Sequence, residues 1–265
     1  DSDGSAFAGR VVEGLRPWLA SIAAHSSGYD PDRPEDEEAV AELFCHHNAF
    51  QVLCALRRGD AGVEGLNTRI HAWLVRERLL PVTGASGRHA EWYAGRPVMV
   101  TRNDPQLGLA NGDMGLTLPV RLDDGQTGLR VAFPAEAGAE RRFHWVSPTR
   151  LPEAETAFAL TVHKSQGSEF TQVAMVMPER PNPILGRELL YTAITRARRR
   201  FVLVSPARAD RETASPATRA TRAAEVLTTA VTSVTRRSGN LRRRLLHRLS
   251  AHAANSGVRP DDTLG

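Results

Sequence analysis

Apolar side chains recur along this chain at two periods, and the switches between them mark out its elements. Residues 7–25 place Val11, Val12, Leu15, Trp18, Leu19 and Ile22 at helical spacing, which predicts an amphipathic helix. Residues 26–34 hold Gly28, Pro31 and Pro34 and read as a loop. Glu35-Asp36-Glu37-Glu38 then opens a second helix running to about His47, its acids complementing the positive end of the helix dipole. Residues 50–56, FQVLCAL, form a short apolar run that predicts a buried strand. A loop at 57–62 precedes a third helical stretch, 63–80, with Leu66, Ile70, Trp73, Leu74 and Leu79 as its apolar set. A strand, a loop and a helix in that order predict an α/β unit.

The texture changes after Gly84. Short strands are predicted at 97–102, 114–121, 129–133 and 142–146, with turns at Asn111-Gly112-Asp113 and Asp123-Asp124-Gly125. Four or five short strands within about fifty residues predict a small antiparallel barrel inserted in the α/β domain. The α/β pattern then resumes with a strand at 157–162, a Ser/Gly turn, a buried strand at 173–177, a helix at 187–198 and a strand at 201–204. Residues 207–235 read as helical, with Val226, Leu227, Val231 and Val234 on one side, and 251–265 as a frayed end. There is no internal repeat.

Composition narrows the class. At 41% hydrophobic and 24% charged residues, 265 residues can bury a core without disulfides or metal. No run of eighteen apolar residues predicts a membrane span, and no signal-peptide pattern opens the sequence, so the expected compartment is the cytoplasm. Cys45-His46-His47 with Cys54 fits no common zinc spacing. Cys54 is expected in the core of a strand and Cys45 near a helix end. A net charge of +4 and a pI of about 9.6 suit a polyanionic partner without establishing one. Nine arginines and two acids lie between Arg211 and Ser250, a run that also fits a solvated tail. Lys164 is the single lysine among 34 basic residues.

Two segments carry candidate chemistry. The first, TVHKSQGSEF at residues 161–170, follows a predicted buried strand, and the carboxyl ends of such strands are where α/β folds bind ligands. Its hydroxyls, amide, cation and Gly167 can all serve phosphate oxygens. The same residues also fit a plain polar turn between strand and helix, with Ser168 as a helix cap. The second, ELLYTAITRARR at residues 188–199, places arginines at the end of a predicted helix. Cations there favour the helix dipole and need no ligand. The other reading is an arginine that reaches a phosphoryl group across a domain interface.

Together these two segments resemble the last two motifs of superfamily 1 DNA helicases, in the wording of the RecD branch, the alpha subunit of exodeoxyribonuclease V. Residues 50–67 (FQVLCALRRGDAGVEGLN) resemble that branch's motif at the start of its second motor domain. Residues 98–115 resemble the beginning of its inserted SH3-like barrel, and Arg236-Arg237-Ser238-Gly239 resembles its ending. The resemblance implies an α/β, RecA-like second motor domain in two stretches, 1–94 and 150–240. A barrel at 95–149 interrupts it and a basic, flexible tail at 241–265 follows it. It also implies ATP and Mg²⁺ as cofactors, single-stranded DNA and RecB- and RecC-type subunits as partners, and a role in double-strand break repair and recombination.

Roles follow from the resemblance residue by residue. Arg196 matches the arginine that touches the γ-phosphate, and Arg57, with Arg58 as the alternative, a second phosphate-sensing arginine. Glu169 matches a ribose contact, while Gln166 and Gly167 line the nucleotide side of the turn. Thr161, His163 and Lys164 match contacts to the DNA backbone. One departure matters. Such helicases close a second domain carrying a G-x-x-x-x-G-K-[ST] loop and a Walker B acid over the nucleotide, and this sequence holds neither. The chain is therefore expected to be a fragment of a longer protein and inactive alone as an ATPase. The competing reading is a nucleic-acid or partner-subunit binding module without nucleotide chemistry.

Overall fold

In a computed structural model of the chain, which describes residues 5–25, 27–81, 92–122, 124–136, 138–205 and 216–232, the first apolar stripe becomes α1 (Ser5–Ala24). All six stripe residues are buried. Contacts divide the chain into residues 1–233 and 234–265, and every described residue lies in the first unit. The expected tail at 241–265, Val234, residues 236–239 and Asp123 lie outside the described residues. Helix α2 (Pro34–His47) begins with Pro34 in its first turn followed by three acids, the residue types that helix N-termini favour.

Four parallel strands form the central sheet in the order β7-β1-β8-β9: β1 (Phe50–Cys54), β7 (Ala159–Thr161), β8 (Phe170–Val176) and β9 (Ala197–Val204). Strand alternation sorts the core into two layers. Val52, Cys54, Ala174 and Val176 pack with α1, α2 and α3 (Val63–Arg76). Leu53, Leu160, Val173 and Met175 pack with α4 (Arg187–Ile194) and α5 (Pro216–Thr232). Helices on both faces explain why β1 is buried at all five positions and reads as an unbroken apolar run. The chain is thus an α/β fold built on a parallel sheet.

The middle of the chain forms a five-stranded antiparallel sheet in the order β5-β4-β3-β2-β6: β2 (Pro97–Val100), β3 (Met114–Arg121), β4 (Thr127–Pro134), β5 (Phe143–Val146) and β6 (Ala154–Thr156). The four expected strands are all present. The fifth, β6, lies past residue 149, so the sheet runs further along the chain than the expected insert. Among the described residues no helix is long and apolar enough to cross a membrane.

Several expectations need correction. The helix expected at 187–198 ends at Ile194. Thr195 and Arg196 form a turn, and residues 197 and 198, expected as helix, begin β9 together with 199 and 200. Thr192 and Thr195 each turn a hydroxyl back on a main-chain carbonyl, of Glu188 and Thr192, a competition that weakens helices near their ends. The three arginines 198–200 stay exposed because β9 is the last strand of the sheet. The helix expected at 63–80 stops at Arg76, and Arg78 takes a left-handed φ of 57° while Leu79 N–H closes on Leu74 C=O. Among the described side chains of α5, Val226 and Ala230 are buried, while Val231 is exposed.

Candidate functional site

The 161–170 segment connects β7 to β8, not to a helix. Residues 163–165 form one turn of 3₁₀ helix, and the chain then runs into β8 at Phe170. Both strands are parallel to β1, so the connection crosses from one end of the sheet to the other. Thr161 is in register with Cys54, at the carboxyl end of β1. Phe170 is in register with Ala197, at the amino end of β9. The candidate residues therefore fall into two groups. Arg57, Thr161, His163 and Lys164 lie at the carboxyl end; Glu169 and Arg196 lie at the amino end. Gln166 and Gly167 lie on the crossing between them. The two arginines expected to sense phosphate are separated by the length of β8, seven residues or about 20 Å.

At the carboxyl end the turn is built from its own main chain. Thr161 Oγ1 accepts the Lys164 N–H at 3.3 Å, and the fully buried Ser165 hydroxyl donates to Val162 C=O at 2.8 Å. His163 is exposed and Lys164 half-buried. Lys164 Nζ lies 3.7 Å from Glu155 Oε2, and Arg57 Nη2 donates to Glu155 Oε1 at 2.5 Å. Glu64 is a second carboxylate for Arg57, at 3.9 Å. A cleft of about 830 Å³ opens beside this cluster, lined by Arg57, Asn67, Trp92, Arg96, Glu155 and Thr156 among others. Arg58 is exposed one residue further on.

Residues that the sequence reading did not single out hold this end in place. β7 is the edge strand of its sheet, so Ala159 shows an unpaired main-chain edge. Asn67 of α3 fills it: its Oδ1 accepts the Ala159 N–H at 2.9 Å and its Nδ2 donates to Ala159 C=O at 3.2 Å. Buried Gln51 donates to Phe158 C=O at 3.0 Å. Arg96 donates to the Thr156 hydroxyl at 3.0 Å, and its guanidinium lies 4.4 Å from the centre of the Trp92 ring. Burial pulls the Arg96 pKa below its ordinary value. Glu155 sits 98 residues from Arg57, and no local pattern joins them. Asn67 did fall in a stretch marked by resemblance, but its clamp is visible only once β7 is known to be an edge.

At the amino end Arg196 is half-buried and bonded to main chain on two sides. Nη1 donates to Ser168 C=O at 2.9 Å, Nε to Thr192 C=O at 3.3 Å and Nη2 to the Thr195 hydroxyl at 3.4 Å. Arg196 C=O in turn accepts the Phe170 N–H at 2.8 Å. The side chain therefore stitches the end of α4 to the end of the 161–170 segment. Glu169 is exposed and paired with Arg198 at 2.9 Å. Gly167 has φ +89°, and a Cβ there would meet no protein atom, so within the chain it is the backbone turn that calls for glycine.

Metal chemistry has no visible seat: among the described residues no group of His, Cys, Asp and Glu could hold an ion. Cys54 is buried as expected, and burial pushes its thiol up to about 12, while Cys45 is exposed on α2.

Comparison with known proteins agrees with these segments. Residues 156–204 match the UvrD-like helicase C-terminal domain. RecBCD enzyme subunit RecD of Mycobacterium tuberculosis is 42% identical over 166 residues, 63% of this chain and 26% of that protein. The Haemophilus influenzae protein of the same name is 37% identical over 199 residues, 73% of this chain and 28% of that one. An ATP-dependent RecD2 DNA helicase of Deinococcus radiodurans is 35% identical over 156 residues, 58% and 19%. A solved Bacteroides Pif1 helicase with ADP-AlF3 and single-stranded DNA superposes loosely, with a TM-score of 0.36 at 16% identity over 91% of this chain and 54% of that one. The chain spans about a quarter of the length of the RecD proteins it matches. It is related to the RecD-type helicases and corresponds to their C-terminal portion.

Proposed function

We propose that this chain is the second, RecA-like motor domain of a DNA helicase subunit of the exodeoxyribonuclease V complex, with the five-stranded sheet as its inserted SH3-like barrel. Thr161, His163 and Lys164 grip single-stranded DNA through its backbone, hence with weak sequence preference. Arg196 reaches the γ-phosphate of an ATP-Mg²⁺ held mainly by another domain, Glu169 meets the ribose, and Gln166 and Gly167 line the same side. Arg57, or Arg58, is a second sensor of phosphate. RecB- and RecC-type subunits are its partners, in the cytoplasm, in repair and recombination.

One observation carries this reading. The TVHKSQGSEF and TRAR segments, matched to helicase sequences, meet in space through the Arg196–Ser168 bond. Tyr191 and Ile194, exposed beside Arg196 at 69% and 46%, suit a face that another domain covers. Closure in the ATP state and opening after hydrolysis then give stepping.

The test is phosphate release by the 265-residue chain, with and without single-stranded DNA. No turnover is expected, because the sequence holds no G-x-x-x-x-G-K-[ST] loop to cradle the triphosphate and Mg²⁺. DNA-stimulated turnover that survives contaminant controls contradicts the composite-site reading.

A further inference from the structure

The cleft of about 830 Å³ beside the Lys164 turn has so far been given no ligand. Its walls are largely apolar, with Val63, Trp92, Leu151, Pro152 and Ala154 among them. Trp92 is half-buried and packs, with Ala154, against the core of the antiparallel sheet. The Arg96 guanidinium lies over its ring, 4.4 Å from the centre, and is itself buried and bonded to the Thr156 hydroxyl. The ring therefore has a fixed support. Two carboxylates, Glu64 and Glu155, also line the cleft, and Glu155 Oε2 lies 3.7 Å from Lys164 Nζ. The cleft thus adjoins the turn read as a contact to the DNA backbone.

We propose that this cleft takes a nucleobase of the single strand, stacked against Trp92, while the neighbouring phosphate stays at Lys164. The inference deepens the DNA reading of Thr161, His163 and Lys164 given above and rests on it. Charge separates the two parts of the nucleotide. Glu64 and Glu155 occupy Arg57 and repel phosphate, which keeps the backbone at the rim. A nucleobase is flat and uncharged, and its faces suit an apolar cleft with an aromatic wall. Because Arg96 and the sheet core already hold the ring, little side-chain freedom is lost when a base packs on it. Asn67 is taken up by Ala159, Arg96 by Thr156 and Arg57 by Glu155, so base edges go largely unread. Stacking alone tolerates any sequence, since every base has a π-face.

The experiment is fluorescence anisotropy of labelled oligonucleotides with the 265-residue chain across a salt series. It compares oligo-dT with an abasic strand of the same length, for the parent, Trp92→Phe and Trp92→Leu, and circular dichroism melts establish that each protein is folded. The parent is expected to bind oligo-dT more tightly than the abasic strand, which carries the same phosphates. Trp92→Leu is expected to weaken binding of oligo-dT about five- to tenfold, the lower part of the range for lost base–aromatic stacking. The slope of log K against log salt should not change, because a stacked base releases no counterion. Trp92→Phe keeps a π-face and should recover most of the affinity. Equal binding of the two strands by the parent overturns the proposal, with the backbone contacts still standing. So does a Trp92→Leu variant that binds oligo-dT as the parent does, a Trp92→Phe as weak as Trp92→Leu, or a slope that falls with the affinity, which would make the ring a prop for the phosphate cluster. No binding of either strand by the parent sinks the DNA reading itself, and the base site with it.

Discussion

At the carboxyl end of the parallel sheet Arg57 is held by carboxylates, Glu155 and Glu64, whereas at the amino end Arg196 is held mainly by main-chain carbonyls, of Ser168 and Thr192. Exposed ion pairs between side chains exchange partners at little cost. Main-chain acceptors cannot swing away, so Arg196 keeps its place whatever binds. A guanidinium has five N–H donors, and three bonds leave Arg196 capacity for a phosphate oxygen. The same residue type is thus held movably at one end and fixed in place at the other.

The largest expected effect breaks the amino end. In a longer parent protein that carries the phosphate loop, Arg196→Ala should cut ATP turnover by about 10³–10⁵, the range for an arginine that stabilises transition-state charge. Affinity for single-stranded DNA should stay near that of the parent. Turnover within about tenfold of the parent reduces Arg196 to a brace between α4 and the 161–170 segment.

The two ends should also answer to different solution conditions. His47 leads from α2 to the amino end of β1, 4% exposed and edge-on to Trp18 at 5.3 Å. Burial lowers its pKa from 6.5 to about 4. The folded state therefore keeps it neutral where the unfolded chain takes up a proton. Stability from this site is complete above about pH 6.5 and is lost as pH falls toward 4, on the order of 3 kcal/mol in all. Thermal melts at pH 7 and pH 5 should show the loss in the parent and a smaller one in His47→Leu. Equal losses in the two proteins contradict a buried neutral histidine.

A smaller effect sharpens the carboxyl end. Asn67→Ala removes two hydrogen bonds and leaves the Ala159 main chain unsatisfied at the sheet edge, a cost of about 2 kcal/mol. Urea unfolding should report it, and DNA affinity should fall as the Thr161 turn loosens. Stability unchanged within about 0.5 kcal/mol would mean that water replaces the clamp.

Much of this was legible in the sequence. The α1 stripe, the apolar run of β1 and the turns of the antiparallel sheet appeared where the sequence pattern put them, because each pattern matches one burial geometry: one face for α1, both faces for β1, none for the turns. The start of β9 did not, since Arg198, Arg199 and Arg200 sit on an edge strand where charge is tolerated and the alternation of a half-buried strand is lost. The site residues could be named from their motifs, but their division between two ends of a sheet follows from the β7–β1–β8 register, which no local pattern encodes. Glu155 and Asn67 act across gaps of 98 and 92 residues, beyond any spacing rule.

The central claim is that the TVHKSQGSEF turn grips the DNA backbone, and Lys164 tests it most directly. Its ammonium is a compact point charge, unlike the wide planar fork of the arginines that supply every other basic side chain here. Lys164→Arg should keep the fold and, in the longer parent, weaken DNA-stimulated activity. The decisive measurement is the salt dependence of single-stranded DNA binding for the parent and Lys164→Ala. The account predicts lower affinity and a slope of log K against log salt reduced by about 0.7, the share of one phosphate contact on a single strand. Identical slopes and affinities would remove Lys164 from the interface and contradict the account.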